Sequence, residues 1–250
     1  MEDDRAPIHS DSLKVSRLYK GKLSPEEALT AIMGPRFESY RARWNRARSF
    51  KELPSFPIHV DYEVMSKCNY SCPMCPMSVR DLTYSGDEKL EENRGKGEKR
   101  LSSSKIKELL EEGAAKGQAA LGFGGLWEPL LYKDLPEIVS YGRDLGLVDM
   151  MVNTNGSLLT QNLAQDLIES GLTRLMVSLD ALSPETYKQI RRGGNLEQVE
   201  ENIRIFLEER KKRKSPLPLL RVSFLVTSIN ESELQGFMHH WEDRADFLSV

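Results

Sequence analysis

Residues 149–179 read DMMVNTNGSLLTQNLAQDLIESGLTRLMVSL, and this stretch decides the fold. Residues 149–153 are a short β-prone run. Asn155-Gly156 turns the chain, and residues 161–170 carry an amphipathic helical pattern. Gly171 follows as a C-terminal stop signal, and residues 174–179 are again β-prone. Strand, helix, strand in so few residues predicts two parallel strands joined by a right-handed crossover.

The alternation extends in both directions. Further strands are expected at 58–65, 119–124, 220–227 and 247–250. Helices are expected at 104–116, 135–145, 196–213 and 231–244, with Gly117 and Gly146 closing the first two. Ser183-Pro184-Glu185 is a further helix start. His239, His240 and Trp241 lie on a predicted helix and read as packing or surface residues. Residues 1–56 are polar and read as a helical N-terminal extension. There Ser24 is the cap of a helix that begins at Pro25, and Trp44 and Phe50 are available to pack on the rest of the chain. Residues 57–250 form the α/β part. The chain ends on an expected strand at Val250, so a further C-terminal segment is expected.

The 250 residues hold 35 Lys+Arg and 38 Asp+Glu, a formal net charge of -3. That balance argues against nucleic acid or an anionic membrane as the main partner. With 39% hydrophobic residues the chain can bury a core. No run is long and apolar enough to span a membrane, and no signal peptide is visible, so a cytoplasmic protein is the expectation. Residues 84–100, YSGDEKLEENRGKGEKR, read as a solvated loop. They and the N-terminal helices are candidate lids.

Cys68, Cys72 and Cys75 are the three cysteines of the chain, all within CNYSCPMC. An odd, crowded set is a poor disulfide framework and reads as a ligand set. Three thiolates on a four-iron cluster leave one iron open, whereas structural zinc takes four protein ligands. His59, nine residues upstream, is poorly placed as a fourth.

The Cys-x3-Cys-x2-Cys pattern after the first strand resembles the radical S-adenosylmethionine (SAM) enzymes. The resemblance implies a partial (β/α)6 TIM-like barrel of parallel strands. It implies that Cys68, Cys72 and Cys75 hold a [4Fe–4S] cluster whose free iron chelates SAM. In such barrels, site residues collect where strands end. Residues 125–129 resemble the family's glycine-rich element. Gly124, Gly125 and Glu128 would meet the methionine moiety of SAM, with Glu128 accepting from its amino group. Trp127 stands where a glycine is common. Asn155 and Ser178 resemble ribose- or carboxylate-contacting positions, and Arg191 resembles the arginine that pairs with the SAM carboxylate. Asp180 is a further polar contact to cofactor or substrate. Met74 takes the place of an aromatic residue near adenine.

The implied chemistry is reductive cleavage of SAM to a 5′-deoxyadenosyl radical that abstracts hydrogen from a substrate carbon. An external one-electron reductant of flavodoxin or ferredoxin type is the implied partner. Residues 177–180 and 183–191 look most like the branch with a cysteine-rich SPASM or twitch domain. That branch favours a peptide, protein or carbohydrate-type substrate. The alternatives are a cofactor-maturation or methyl-transferring radical SAM enzyme, and a non-catalytic zinc or iron–sulfur module.

Overall fold

A computed structural model of the protein describes residues 23–78 and 100–250. The first residues of the chain, and all of the 84–100 loop except Arg100, lie outside them. Two helices come first, α1 (Pro25–Met33) and α2 (Pro35–Arg48). Ser24 caps α1 as expected. Its hydroxyl accepts from the Glu27 amide at 3.2 Å, and the Glu27 carboxylate accepts from the Ser24 amide at 2.7 Å. Such a cap contributes about 1 kcal/mol.

Six strands follow: β1 (His59–Tyr62), β2 (Ala120–Phe123), β3 (Asp149–Thr154), β4 (Arg174–Ser178), β5 (Leu219–Ser223) and β6 (Phe247–Ser249). They pair in sequence order and every pair is parallel. The helices α3 (Ser103–Ala115), α4 (Leu135–Asp144), α5 (Gln161–Ser170), α6 (Pro184–Ile190), α7 (Leu196–Lys212) and α8 (Leu234–Trp241) lie between strands along the chain. Among the described residues β1 and β6 do not pair, so the sheet is an open, partial (β/α)6 barrel. No helix of the described residues is long and apolar enough to cross a membrane.

Three expected elements differ most from the expectation, each for a visible reason. β5 stops at Ser223 because side chains replace the ladder beyond it. The Leu225 amide donates to Asp180 Oδ1 at 2.7 Å, and Asn230 Nδ2 donates to the Leu225 carbonyl at 2.9 Å. β1 stops at Tyr62, after which the Val64 carbonyl accepts from the Leu101 amide at 3.0 Å and Met65 bridges Arg100. The expected helix 231–244 divides into a 3-10 turn, Glu231–Glu233, and α8.

Side chains alternate along each strand. Leu121, Phe123, Val152, Leu175, Val177, Leu220 and Val222 belong to the large core shared with the helices. A second core joins Leu29, Phe37 and Tyr40 of α1 and α2 to Ile58, Ala120, Val148, Leu219 and Phe247. These last five stand at or just before strand starts. Arg43 and Arg36 add hydrogen bonds to the Gly117 and Gly146 carbonyls, at 2.9 and 3.1 Å, in the turns before β2 and β3. The N-terminal helices therefore close the end of the barrel where the strands begin. They are not a lid over the cysteines, which lie where β1 ends. Trp44 packs edge-on to His59 as expected, with centroids 6.0 Å apart. Phe50 does not pack: it is 90% exposed, because α2 ends in a turn with φ 55° at Phe50 that points its ring away.

Candidate functional site

The cysteine loop is strapped across the opposite mouth of the barrel from three sides. The Glu128 amide, after β2, donates to the Lys67 carbonyl at 3.0 Å. After β3, Asn155 Nδ2 donates to Asn69 Oδ1 at 2.9 Å, and Asn69 Nδ2 donates to Ser157 Oγ at 2.8 Å. After α6, the Arg192 carbonyl accepts from the Ser71 amide at 2.9 Å. Tyr70 lies against Gly194, where a Cβ would come within 2.4 Å of the phenol. Backbone and side-chain groups after β2, β3 and α6 thus hold one loop at the end of the barrel where active sites of parallel barrels collect.

Cys68, Cys72 and Cys75 are free thiols lining one cavity of about 520 Å³, a size suited to a small molecule. The Tyr70 amide donates to Cys68 Sγ at 3.4 Å. Burial pushes the Cys68 and Cys72 thiols up, while the Arg191 cation pulls Cys72 back down. Ligation at these two sulfurs must therefore release protons. A four-iron cluster binds each sulfur to a separate iron, and three thiols lining one cavity fit such a group. His59 is no fourth ligand: its Nε2 is 3.0 Å from Asp61 Oδ1 and its ring packs on Trp44.

Gly124, Gly125, Glu128, Asn155, Ser178, Arg191, Met74 and Trp127 line the same cavity. Gly124 has φ +87°, and a Cβ there would lie 2.3 Å from the Asn153 carbonyl. Only glycine combines that backbone with that approach. The amides of Gly125 and Leu126 both donate to Glu63 Oε1, each at 2.8 Å, so the residue just after β1 holds the glycine loop in place.

Glu128 is 2% exposed. Its Oε1 accepts from Thr154 Oγ1 at 2.6 Å and from the Leu130 amide at 3.0 Å, and its Oε2 accepts from the Asn155 amide at 2.8 Å. Burial pushes its carboxyl up and the three donors pull it down. Glu128 thus brackets the β2 and β3 loops before it meets any ligand. Asn155 is similarly committed, its Oδ1 accepting from the Ser157 amide at 3.0 Å and hydroxyl at 2.6 Å. Ser178 Oγ donates to Asn153 Oδ1 at 3.3 Å.

Asp180 is 1% exposed and stands outside this lining. Its Oδ2 faces Arg191 Nη2 in an ion pair, and its Oδ1 is taken by the Leu225 amide. Its place is behind Arg191. Arg191 Nη1 lies 3.9 Å from Cys72 Sγ. Burial works against the charge on Arg191, but Asp180 and Cys72 more than restore it.

Sequence reasoning does not single out Glu63 or Asn69. Glu63 carries a signal: His59, Asp61 and Glu63 alternate through the expected first strand, marking the side opposite its apolar residues. Asn69 sits between the cysteines, whose thiols dominate the reading of that loop.

Comparison with known proteins agrees with this geometry. The chain matches the Radical SAM superfamily over residues 62–239. The probable GTP 3′,8-cyclase of Methanococcus maripaludis strain C7 is 33% identical over 200 residues, covering 80% of this chain and 59% of the relative. The GTP 3′,8-cyclase of Lactiplantibacillus plantarum is 32% identical over 186 residues, covering 74% and 51%. The chain thus spans less than two thirds of the length of these relatives. Streptococcus suis SuiB bound to S-adenosylmethionine shares the fold with TM-score 0.59 and 15% identity, over 83% of this chain and 43% of that one. Methylornithine synthase does so with TM-score 0.52 and 16% identity, over 87% and 61%. The superfamily uses a [4Fe–4S] cluster and SAM. With the family match extending from β1 through the cysteine loop and into α8, the chain belongs to the radical SAM superfamily.

Proposed function

We propose that the protein is a radical SAM enzyme of the cofactor-maturation kind, acting on a guanine nucleoside triphosphate. One observation carries the first part: three thiols, a glycine loop and a buried arginine share one cavity where parallel strands end. When bound, the cluster and SAM supply a 5′-deoxyadenosyl radical that takes a hydrogen atom from a substrate carbon. Cys68, Cys72 and Cys75 hold the cluster. The Gly124–Gly125 backbone and Glu128 receive the methionine end of SAM. Asn155, Ser178 and Arg191 serve its ribose and carboxylate. Trp127, Met74 and Leu225 exclude water. An external reductant of flavodoxin or ferredoxin type delivers the electron.

The nucleotide part rests on the relatives named GTP 3′,8-cyclase. It replaces the peptide or carbohydrate substrate expected from the sequence. Among the described lining residues Arg191 is the one side-chain cation, and it faces Asp180. Triphosphate charge must therefore be met by groups outside this lining.

The test is anaerobic reconstitution with iron and sulfide, then a 5′-deoxyadenosine assay with and without GTP. The expected result is SAM cleavage that GTP stimulates while being consumed, and its abolition in Cys72→Ala. Absence of 5′-deoxyadenosine from cluster-loaded, reduced protein overturns the enzyme reading. Cleavage indifferent to GTP, with GTP intact, overturns the substrate reading alone.

A further inference from the structure

We propose that the buried Asp180–Arg191 pair sets the reduction potential of the cluster, beyond the role of Arg191 toward SAM. The inference rests on Cys72 being a cluster ligand. Arg191 Nη1 is 3.9 Å from Cys72 Sγ, within reach of an N–H···S contact. Its Nη2 faces Asp180 Oδ2. One guanidinium thus spans a cluster ligand and a buried carboxylate.

The surroundings fix this cation in place. Asp180 has φ 62°, a left-handed backbone that is costly for a residue other than glycine. Its Oδ1 accepts from the Leu225 amide at 2.7 Å, and its carbonyl accepts from Asn230 Nδ2 at 2.8 Å. Arg191 caps the C-terminus of α6, and its amide donates to the Tyr187 carbonyl at 2.7 Å. At the other end of α6, Glu233 accepts from the Leu182 amide at 2.6 Å and from Thr186 Oγ1 at 2.6 Å. Both ends of this seven-residue helix are tied down, which fixes the backbone at Arg191, and the Asp180 ion pair holds its guanidinium beside Cys72.

The physics gives opposite signs to the two residues. Reduction adds one negative charge to the cluster. A cation beside a ligand sulfur stabilises the reduced form and raises the potential, and in a dry site that effect is large. Asp180 cancels part of that charge. Removing Arg191 lowers the potential, and removing only the Asp180 charge raises it. Arg191 and Asp180 act here as positioning residues, through the cluster.

The experiment is an EPR-monitored redox titration of the reconstituted holoprotein, with iron and sulfide content measured for each variant. Arg191→Gln is expected to titrate at a lower potential than wild type, and Asp180→Asn at a higher one. The double variant leaves no unpaired buried charge, so it folds where a single variant fails. It is expected between the singles, and Arg191→Lys closer to wild type than Arg191→Gln. Potentials that stay put, or that move the same way in both single variants, overturn the inference, because a merely structural pair has no reason to shift them oppositely. With the double variant alone loaded, a potential below wild type supports the partial cancellation, and a potential at or above wild type refutes it. A wild-type chain that loads no iron overturns the cluster reading itself, and this inference with it.

Discussion

Each end of the barrel carries a buried Arg–Asp pair, and the two are built differently. Where the strands begin, Arg174 meets Asp149 with two aligned bonds, Nε to Oδ1 at 2.8 Å and Nη2 to Oδ2 at 2.5 Å. Thr173 Oγ1 adds a third at 3.0 Å, and Phe37 lies against the guanidinium. Where the strands end, Asp180 Oδ2 meets Arg191 Nη2 in a single ion-pair contact, and Arg191 Nε is buried without a hydrogen-bond partner. A saturated pair holds structure together, and an unsaturated one keeps capacity for something else. The same contrast runs through both ends. Leu29, Phe37 and Tyr40 fill one end with side-chain volume, whereas backbone amides, glycines and thiols line the other.

Three changes probe that contrast, starting with the most severe. Arg174→Met leaves Asp149 buried and unpaired, and is expected to cost about 3–5 kcal/mol of stability. The denaturant midpoint measures it, and iron loading per folded molecule should not change. A loss of SAM cleavage in the folded fraction would show that the two ends are coupled. Gly124→Ala drives a Cβ to 2.3 Å from the Asn153 carbonyl at φ +87°. The strain is expected to cost about 1–3 kcal/mol. SAM affinity, read by calorimetry, should fall about tenfold or more, equivalent to about 1.4 kcal/mol. A tolerated alanine with wild-type affinity would remove the glycine loop from the site.

Tyr40 gives the smallest effect. Burial, then the Asp149 charge, pushes its phenol from 10.0 up to about 12. A raised acid favours the neutral form in the fold, so its contribution is present below pH 10 and is lost as pH climbs toward 12. The loss is expected to reach about 1 kcal/mol near pH 11. Tyr40→Phe should lack that part of the alkaline slope in melting temperature against pH. An unchanged slope would mean that the strand-start end is wetter than its packing implies.

Much of the frame is legible in the sequence. The helix expected at 161–170 forms over those residues, and the strand expected at 149–153 gains only Thr154. Contiguous side chains with one period bury one face, so the signal is local. The cysteines are legible for a similar reason, since three thiols in one short loop share a site however the loop folds. The surroundings of Asp180 are not legible because its neighbours are remote. Leu225 is 45 residues away, and no local pattern announces that its amide will claim a carboxylate. Glu63 is hidden likewise, since its partners Gly125 and Leu126 lie more than sixty residues downstream.

The amino-acid sequence alone determined the alternation of strands and helices, the parallel sheet and the thiol set, because periodicity and functional-group identity belong to neighbouring residues. Tertiary structure decided which end α1 and α2 close, that Glu128 brackets two loops, and that Arg191 stands between Asp180 and Cys72. Those outcomes depend on strand order, which brings distant residues into a dry space where each charge or amide must find a partner.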